Sequence, residues 1–174
     1  MRPCGRLNGR SGAWLQKEIL DALGFDRDNA WITDCLDTYY ESVLAARRLE
    51  SDPIAAVVRT LGIPSCLHYP HPSESDIVRF ALDGHRQRLL ADLNTARPEL
   101  IVTLGNAALR VFKALAGDVG ASPQKLSPEG YGTPISATID GRRVIWLPLA
   151  HPAAPAAYQV AHQKWRTVSE QRRG

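Results

Sequence analysis

Residues 99–117 read ELIVTLGNAALRVFKALAG. Leu100 to Leu104 form an apolar run broken only by Thr103, the pattern of a strand covered on both faces. A strand with one wet face would alternate instead. After Gly105 the stretch takes helical spacing and closes on Gly117, a residue suited to a helix end. Strand, glycine and helix in that order are half of a βαβ unit, so a sheet with parallel strands is expected.

Toward the N-terminus, SESDIVRFALDGHRQRLLADLNTA predicts a long helix from about 74 to 95, opened by a capping pair, Ser73 and Asp76. Before it, IPSCLHYPHP at 63–72 carries three prolines and excludes a regular helix. Pro53 to Leu61 reads as a short helix closed by Gly62, and AWITDC at 30–35 as a short β-prone run leading into turn-rich DCLDTYY. Trp14, Leu15, Ile19, Leu20 and Leu23 recur at helical spacing between Ser11, a candidate N-cap, and Gly24. Toward the C-terminus, PISATIDGRRVIWLPLA holds two β-rich runs around Asp140-Gly141, a strong hairpin signal, and a last helix is expected from Ala156 to about Glu170.

Alternating helices and apolar strands argue for a single domain over residues 1–174: α/β, three-layer α/β/α, with a short, mainly parallel central sheet. A chain of 174 residues, 44% hydrophobic and 22% charged, is long enough for one sizeable core. In open parallel sheets ligands bind beyond the carboxyl ends of the strands. Three strand ends therefore matter: Thr33-Asp34, Thr103 to Asn106, and Leu149-Ala150-His151. The last opens LAHPAAP, which places a titratable ring where a buried strand stops.

The net charge of +3 is too small for the total to imply nucleic acid, so any such attraction must come from placement. Lys164, Arg166, Arg172 and Arg173 make the C-terminal end basic, either a solvated helix face or a contact to a DNA backbone. Three cysteines with no CxxC pair speak against a disulfide framework and against a complete zinc or iron-sulfur motif. Cys66, His68 and His71 would supply part of a zinc set, but the other cysteines are isolated, so no metal and no cofactor are expected. No apolar run approaches the ~20 residues that span a bilayer, so no membrane partner and a cytoplasmic location are expected.

Taken together, GRLNGRSGAWL, AWITDCLDTYY, PELIVTLGNAAL and LPLAHPAAP resemble, in order and spacing, the uracil-DNA glycosylase superfamily, especially its bacterial family-four-like branches. The resemblance covers most of the chain. It implies a four-stranded parallel sheet between helices and hydrolysis of the bond joining uracil to deoxyribose in DNA. Such an enzyme must extrude the base before recognition. Negative charge then gathers on the departing base, and the resemblance implies that His151 is the donor that stabilises it. It implies a base pocket of Leu7, Asn8, Gly9, Asp34 and Asn106. It also implies DNA contacts from Ser11, from Pro152 and Pro155 as an apolar wedge, and from Lys164 and Arg166. Local readings stay open beside these: Ser11 as a plain N-cap, and Asp34 and Asp37 as turn and capping aspartates.

The sequence departs from the family in several places. The acidic or amide residue that activates water follows the family's first strand, and that motif is absent; residues 1 to 10 hold Pro3, Gly5 and Gly9 and cannot supply the apolar strand. Loss of that strand implies a start downstream of the true one, a gap filled by another segment or partner, or a rearranged sheet. Leu7 stands where family-four enzymes stack a phenylalanine on uracil. Asp34 replaces an asparagine, and a carboxylate accepts hydrogen bonds but cannot donate them. The cluster cysteines are missing, with about His85 where one would fall. The expected function is accordingly a glycosylase acting on deaminated bases in DNA, or a non-catalytic nucleic-acid or nucleotide binding module, or a truncated inactive family member. Sequence leaves the oligomeric state unknown.

Overall fold

The computed structural model of the chain describes residues 10–37, 56–57, 60–61, 72–152 and 154–172. Its first helix, α1, is continuous from Arg10–Leu15 through a π turn at Gln16–Leu20 to a last turn at Asp21–Leu23. Gly24, at φ 78°, ends it in the left-handed conformation, as the sequence predicts. Helix α2 is Glu74–Gly84, α3 is Arg86–Ala96, β1 is Leu100–Leu104 and α4 is Gly105–Leu115. The hairpin β2 (Ile135–Ile139) and β3 (Arg142–Leu149) precedes the final helix α5 (Ala156–Gln171).

The helix expected over 74 to 95 is two helices. Ser73 caps the first, its hydroxyl accepting from the Asp76 amide at 3.2 Å. The run then breaks at Gly84-His85, where His85 has φ −120° and ψ 3°. Glycine has little helical preference, and the break lets Val78, Ala81 and Leu89 from both helices pack on Val111 of α4. Of the helix expected from Pro53 to Leu61, residues 56, 57 and 60 are helical. Leu61 is in a turn, and the remainder lies outside the described residues, as do Leu7, Asn8, Gly9, Cys4, Cys66, His68 and His71.

Among the described residues the sheet has three strands in the order β1-β3-β2, β1 and β3 parallel and β2 and β3 antiparallel. The parallel character expected for it is thus confined to one of the two pairings. Asp140 and Gly141 turn the hairpin with φ 48° and 74°, the two positive values that a tight primed turn requires. Period-two geometry sends alternate residues to opposite faces. Leu147 and Leu149 join Leu15, Ile19, Leu20 and Trp165 under α1 and α5, whereas Val144 and Trp146 join Leu109 and Phe112 under α4. Trp146 is fully buried, and its indole N–H donates to the Thr103 hydroxyl at 3.0 Å, joining β3 to β1.

One expected strand is corrected. Among the described residues AWITDC has no ladder hydrogen bonds, and side chains of α3 hold it instead. Arg88 donates to the carbonyls of Asp34 (2.7 Å) and Cys35 (3.2 Å), and Thr33 donates to the Asp92 carboxylate at 2.9 Å. Ile32 packs with the α1 side of the sheet, while Cys35 and Leu36 pack with the α2–α4 side, so the segment passes around the β1 edge. Among the described residues β1 has no strand on that edge, and an alternating run with no neighbouring strand has no ladder to join.

Candidate functional site

The parallel register sets Leu104 of β1 beside Leu149 of β3, so both strands end at one mouth. The chain leaves β1 through Gly105 at φ 87° and enters α4 with Asn106 in its first turn. It leaves β3 through buried Ala150 into exposed His151. The two exits touch: a Cβ built on Gly105 would lie 3.3 Å from the His151 Cβ. Position 105 therefore takes glycine for two reasons, the left-handed backbone and the imidazole carrier beside it.

His151 is thus seated against Gly105, the residue directly before Asn106. Asn106 has a local duty, however, because its side-chain oxygen accepts from the Leu126 amide at 2.9 Å and pins the loop after α4. Asp34 is exposed, and what fixes it is Arg88 of α3 gripping its carbonyl. Pro152 is half-buried and Pro155 exposed, on either side of the His151 turn, and Lys164 is exposed on α5. Arg166 is engaged with carboxylates at both ends, Glu18 at 2.9 Å and Glu170 at 2.8 Å. Those contacts hold its guanidinium more firmly in the charged form. Ser11 lies in the first helical segment of α1.

A pocket of about 290 Å³ opens on the α5 side of the His151 turn. Trp14, Tyr131, Tyr158 and His162 give it aromatic walls, and Glu18 and Gln163 give it polar ones. None of these residues except His151 carries a signal in the sequence beyond helix or loop composition. The hint available was a pair of glycines around Tyr131, marking a loop forced into a special shape. Gly130 and Gly132 adopt φ 70° and 69°, and a Cβ on Gly132 would overlap the Trp165 ring, 2.6 Å from its Cγ.

That loop delivers Tyr131 beneath the end of β3. Its phenol oxygen accepts from the Ala150 amide at 2.9 Å and lies 2.9 Å from Nδ1 of His162. Burial pushes the Tyr131 hydroxyl above its ordinary range, opposed by the Ala150 N–H, and so keeps it protonated. Burial likewise pulls His162 below the ordinary histidine value, against the opposing pull of Glu18. The turn itself is closed by the Ala154 amide donating to the His151 carbonyl at 2.9 Å, and Gln159 donates to the Ala154 carbonyl at 3.3 Å.

Among the described residues no group of three or more His, Cys, Asp or Glu side chains could hold a metal ion. No helix among them is long and apolar enough to cross a membrane. The family model described as the uracil DNA glycosylase superfamily matches residues 7–169. No curated protein and no solved structure matches the chain.

Proposed function

Because the chain belongs to the uracil DNA glycosylase superfamily, a family whose members act on DNA, we propose that it takes an extruded deaminated base at the mouth shared by β1 and β3. A DNA glycosylase-like function in general follows from the family. The finer reading rests on one observation above others, the seating of exposed His151 against Gly105 beside Asn106. Cleavage of the N-glycosidic bond leaves its electron pair on the base, so a donor poised at the base oxygen lowers the barrier. His151 fills that role. In this reading Asp34 and Asn106 contact the rest of the base, and Leu7, Asn8 and Gly9, which lie outside the described residues, are assigned to the same pocket. The free part of Asn106 is its amide NH2, which donates to a carbonyl edge such as that of uracil.

On the DNA side, Pro152 and Pro155 press on the groove next to the extruded nucleotide, and Ser11 and Lys164 contact phosphates. Arg166 joins them only where a phosphate outcompetes Glu18 and Glu170 for its guanidinium.

A second reading, a binding module without chemistry, is favoured by the engagement of the Asn106 oxygen, which commits one of its two lone pairs to the Leu126 amide and ties that side chain to the loop after α4. Single-turnover assays on duplex and single-stranded DNA carrying one uracil separate the two. Release of free uracil, reduced at least ~100-fold in His151→Ala, supports the enzyme, since loss of one such donor costs about 10²–10³ in rate. Retained affinity for the same DNA with no release supports the binding module.

A further inference from the structure

We propose that Tyr131 and His162 are positioning residues for His151, forming a one-directional hydrogen-bond chain that fixes where the β3 exit points its imidazole. The inference rests on the glycosylase reading for its chemical consequence and on geometry alone for its existence.

Two groups of fixed character set the direction of the chain. At one end the Ala150 amide can only donate, and it donates to the Tyr131 oxygen at 2.9 Å. At the other end the Glu18 carbonyl can only accept, and it lies 3.2 Å from Nε2 of His162. Nε2 therefore carries the imidazole proton, Nδ1 accepts, and the phenol proton points at Nδ1 across 2.9 Å. Each bond determines the next, from Ala150 through Tyr131 and His162 to Glu18. A second proton on His162 would turn Nδ1 into a donor and leave the phenol hydrogen without its acceptor.

The surroundings lock the chain in place. His162 is 4% exposed, and its ring lies 5.1 Å from those of both Trp14 and Trp165. Gly132, tight against Trp165, fixes the loop that carries Tyr131. Glu18 belongs to the π turn of α1, a local irregularity often found where a helix serves a site. Among the described residues the charged groups acting on His162 are Glu18 on α1 and Arg166 on α5, joined to each other at 2.9 Å, and Lys17 lies 3.7 Å from Glu18. The far end of the device is Ala150, the residue directly before His151. Held there by Tyr131, and closed after His151 by the Ala154 amide, the turn keeps the His151 Cβ against Gly105. Reactive groups need placement within about 0.5 Å, and remote support supplies it.

The test compares the full chain with Tyr131→Phe, which removes one oxygen and keeps the ring. By NMR, His162 of the native chain is expected in the Nε2–H tautomer. In Tyr131→Phe, hydrogen exchange of the Ala150 amide should rise at least ~10-fold while that of Trp146 stays put, and the His151 imidazole resonances should move. Unchanged Ala150 exchange and unchanged His151 resonances overturn the proposal. In single-turnover uracil release, Tyr131→Phe should lower the maximal rate about 10-fold without weakening DNA binding. It should add nothing in a His151→Ala background, because a residue acting through His151 is silent without it. A rate loss that multiplies in the double variant overturns the proposal. If the native chain releases no uracil, the glycosylase reading fails while the NMR comparison still decides this one. Should Tyr131→Phe not fold, His162→Leu and His162→Gln replace it. The glutamine, whose amide oxygen accepts from the phenol, is expected to restore the Ala150 protection that leucine loses, and equal exchange in both overturns the proposal.

Discussion

Replacing Gly132 by alanine tests whether the Tyr131 loop is seated on α5 as described. Two costs arise. The backbone at φ 69° is left-handed, where an L side chain costs about 1–2 kcal/mol. The new methyl also enters the Trp165 ring, 2.6 Å from Cγ and 2.9 Å from Nε1. That ring has little room to retreat, being 9% exposed and packed 5.1 Å from the His162 ring. Overpacking of this kind costs about 1–3 kcal/mol. Gly130 provides the internal control, since it has nearly the same backbone, φ 70°, with nothing within 4 Å of an added Cβ. Gly130→Ala should therefore lose the backbone cost alone, and Gly132→Ala that cost plus the steric one, about 2–5 kcal/mol together. For a domain of this size 1 kcal/mol moves the melting temperature by about 2–4 °C, so Gly132→Ala should melt roughly 2–12 °C below Gly130→Ala. Thermal unfolding followed by circular dichroism, with urea titrations at one pH, measures the difference. Equal melting temperatures for the two variants would refute the packing of the loop on Trp165, and with it the route by which Tyr131 reaches Ala150.

Three further outcomes are expected. Burial holds the His162 pKa below 6.5, so its contribution to stability is complete above that value and is lost as pH falls through the folded-state value. The fall in urea midpoint from about pH 7.5 to 5 should flatten in His162→Gln, and an identical slope would contradict a neutral buried ring. Arg166→Ala leaves the carboxylate of buried Glu18 with only the weaker contacts to Lys17 and Gln163, and should cost about 1–3 kcal/mol in urea unfolding. Adding Glu18→Gln should recover part of that loss, and no recovery would show that the pair does not matter. Cys35 is half-buried, and burial, then the nearby Asp34, raises its thiol pKa. In a Cys4→Ser, Cys66→Ser background its alkylation near neutral pH should run at least ~10-fold slower than that of an unstructured cysteine peptide, a rate that mass spectrometry follows directly.

Local chemistry carried a large part of the fold. The apolar run at 100–104, the glycine that follows it, the Asp140-Gly141 turn, the Ser73 cap and the Gly24 stop each depend on a few adjacent residues, and each is where the sequence puts it. The long helix over 74 to 95 was legible as helical but not as broken, because a single glycine is tolerated or not according to what the two halves pack against. AWITDC had the composition of a strand, yet strand formation needs a partner on the sheet edge, a nonlocal condition that no periodicity reports.

The site divides along the same line. His151 was visible because a buried strand ending at a histidine between prolines is a contiguous pattern, and the architecture says that such ends face ligands. That it abuts Gly105 depends on the register of β1 against β3, which is decided only when the sheet assembles. The chain from Ala150 to Glu18 joins residues from four separate stretches, bonded across as many as 144 positions between Glu18 and His162. Sequence determined by itself which segments turn, which run apolar and where a titratable ring follows a buried strand. Tertiary structure alone decided which buried donors and acceptors meet, since a hydrogen bond between distant segments depends on distances that only the packed core sets.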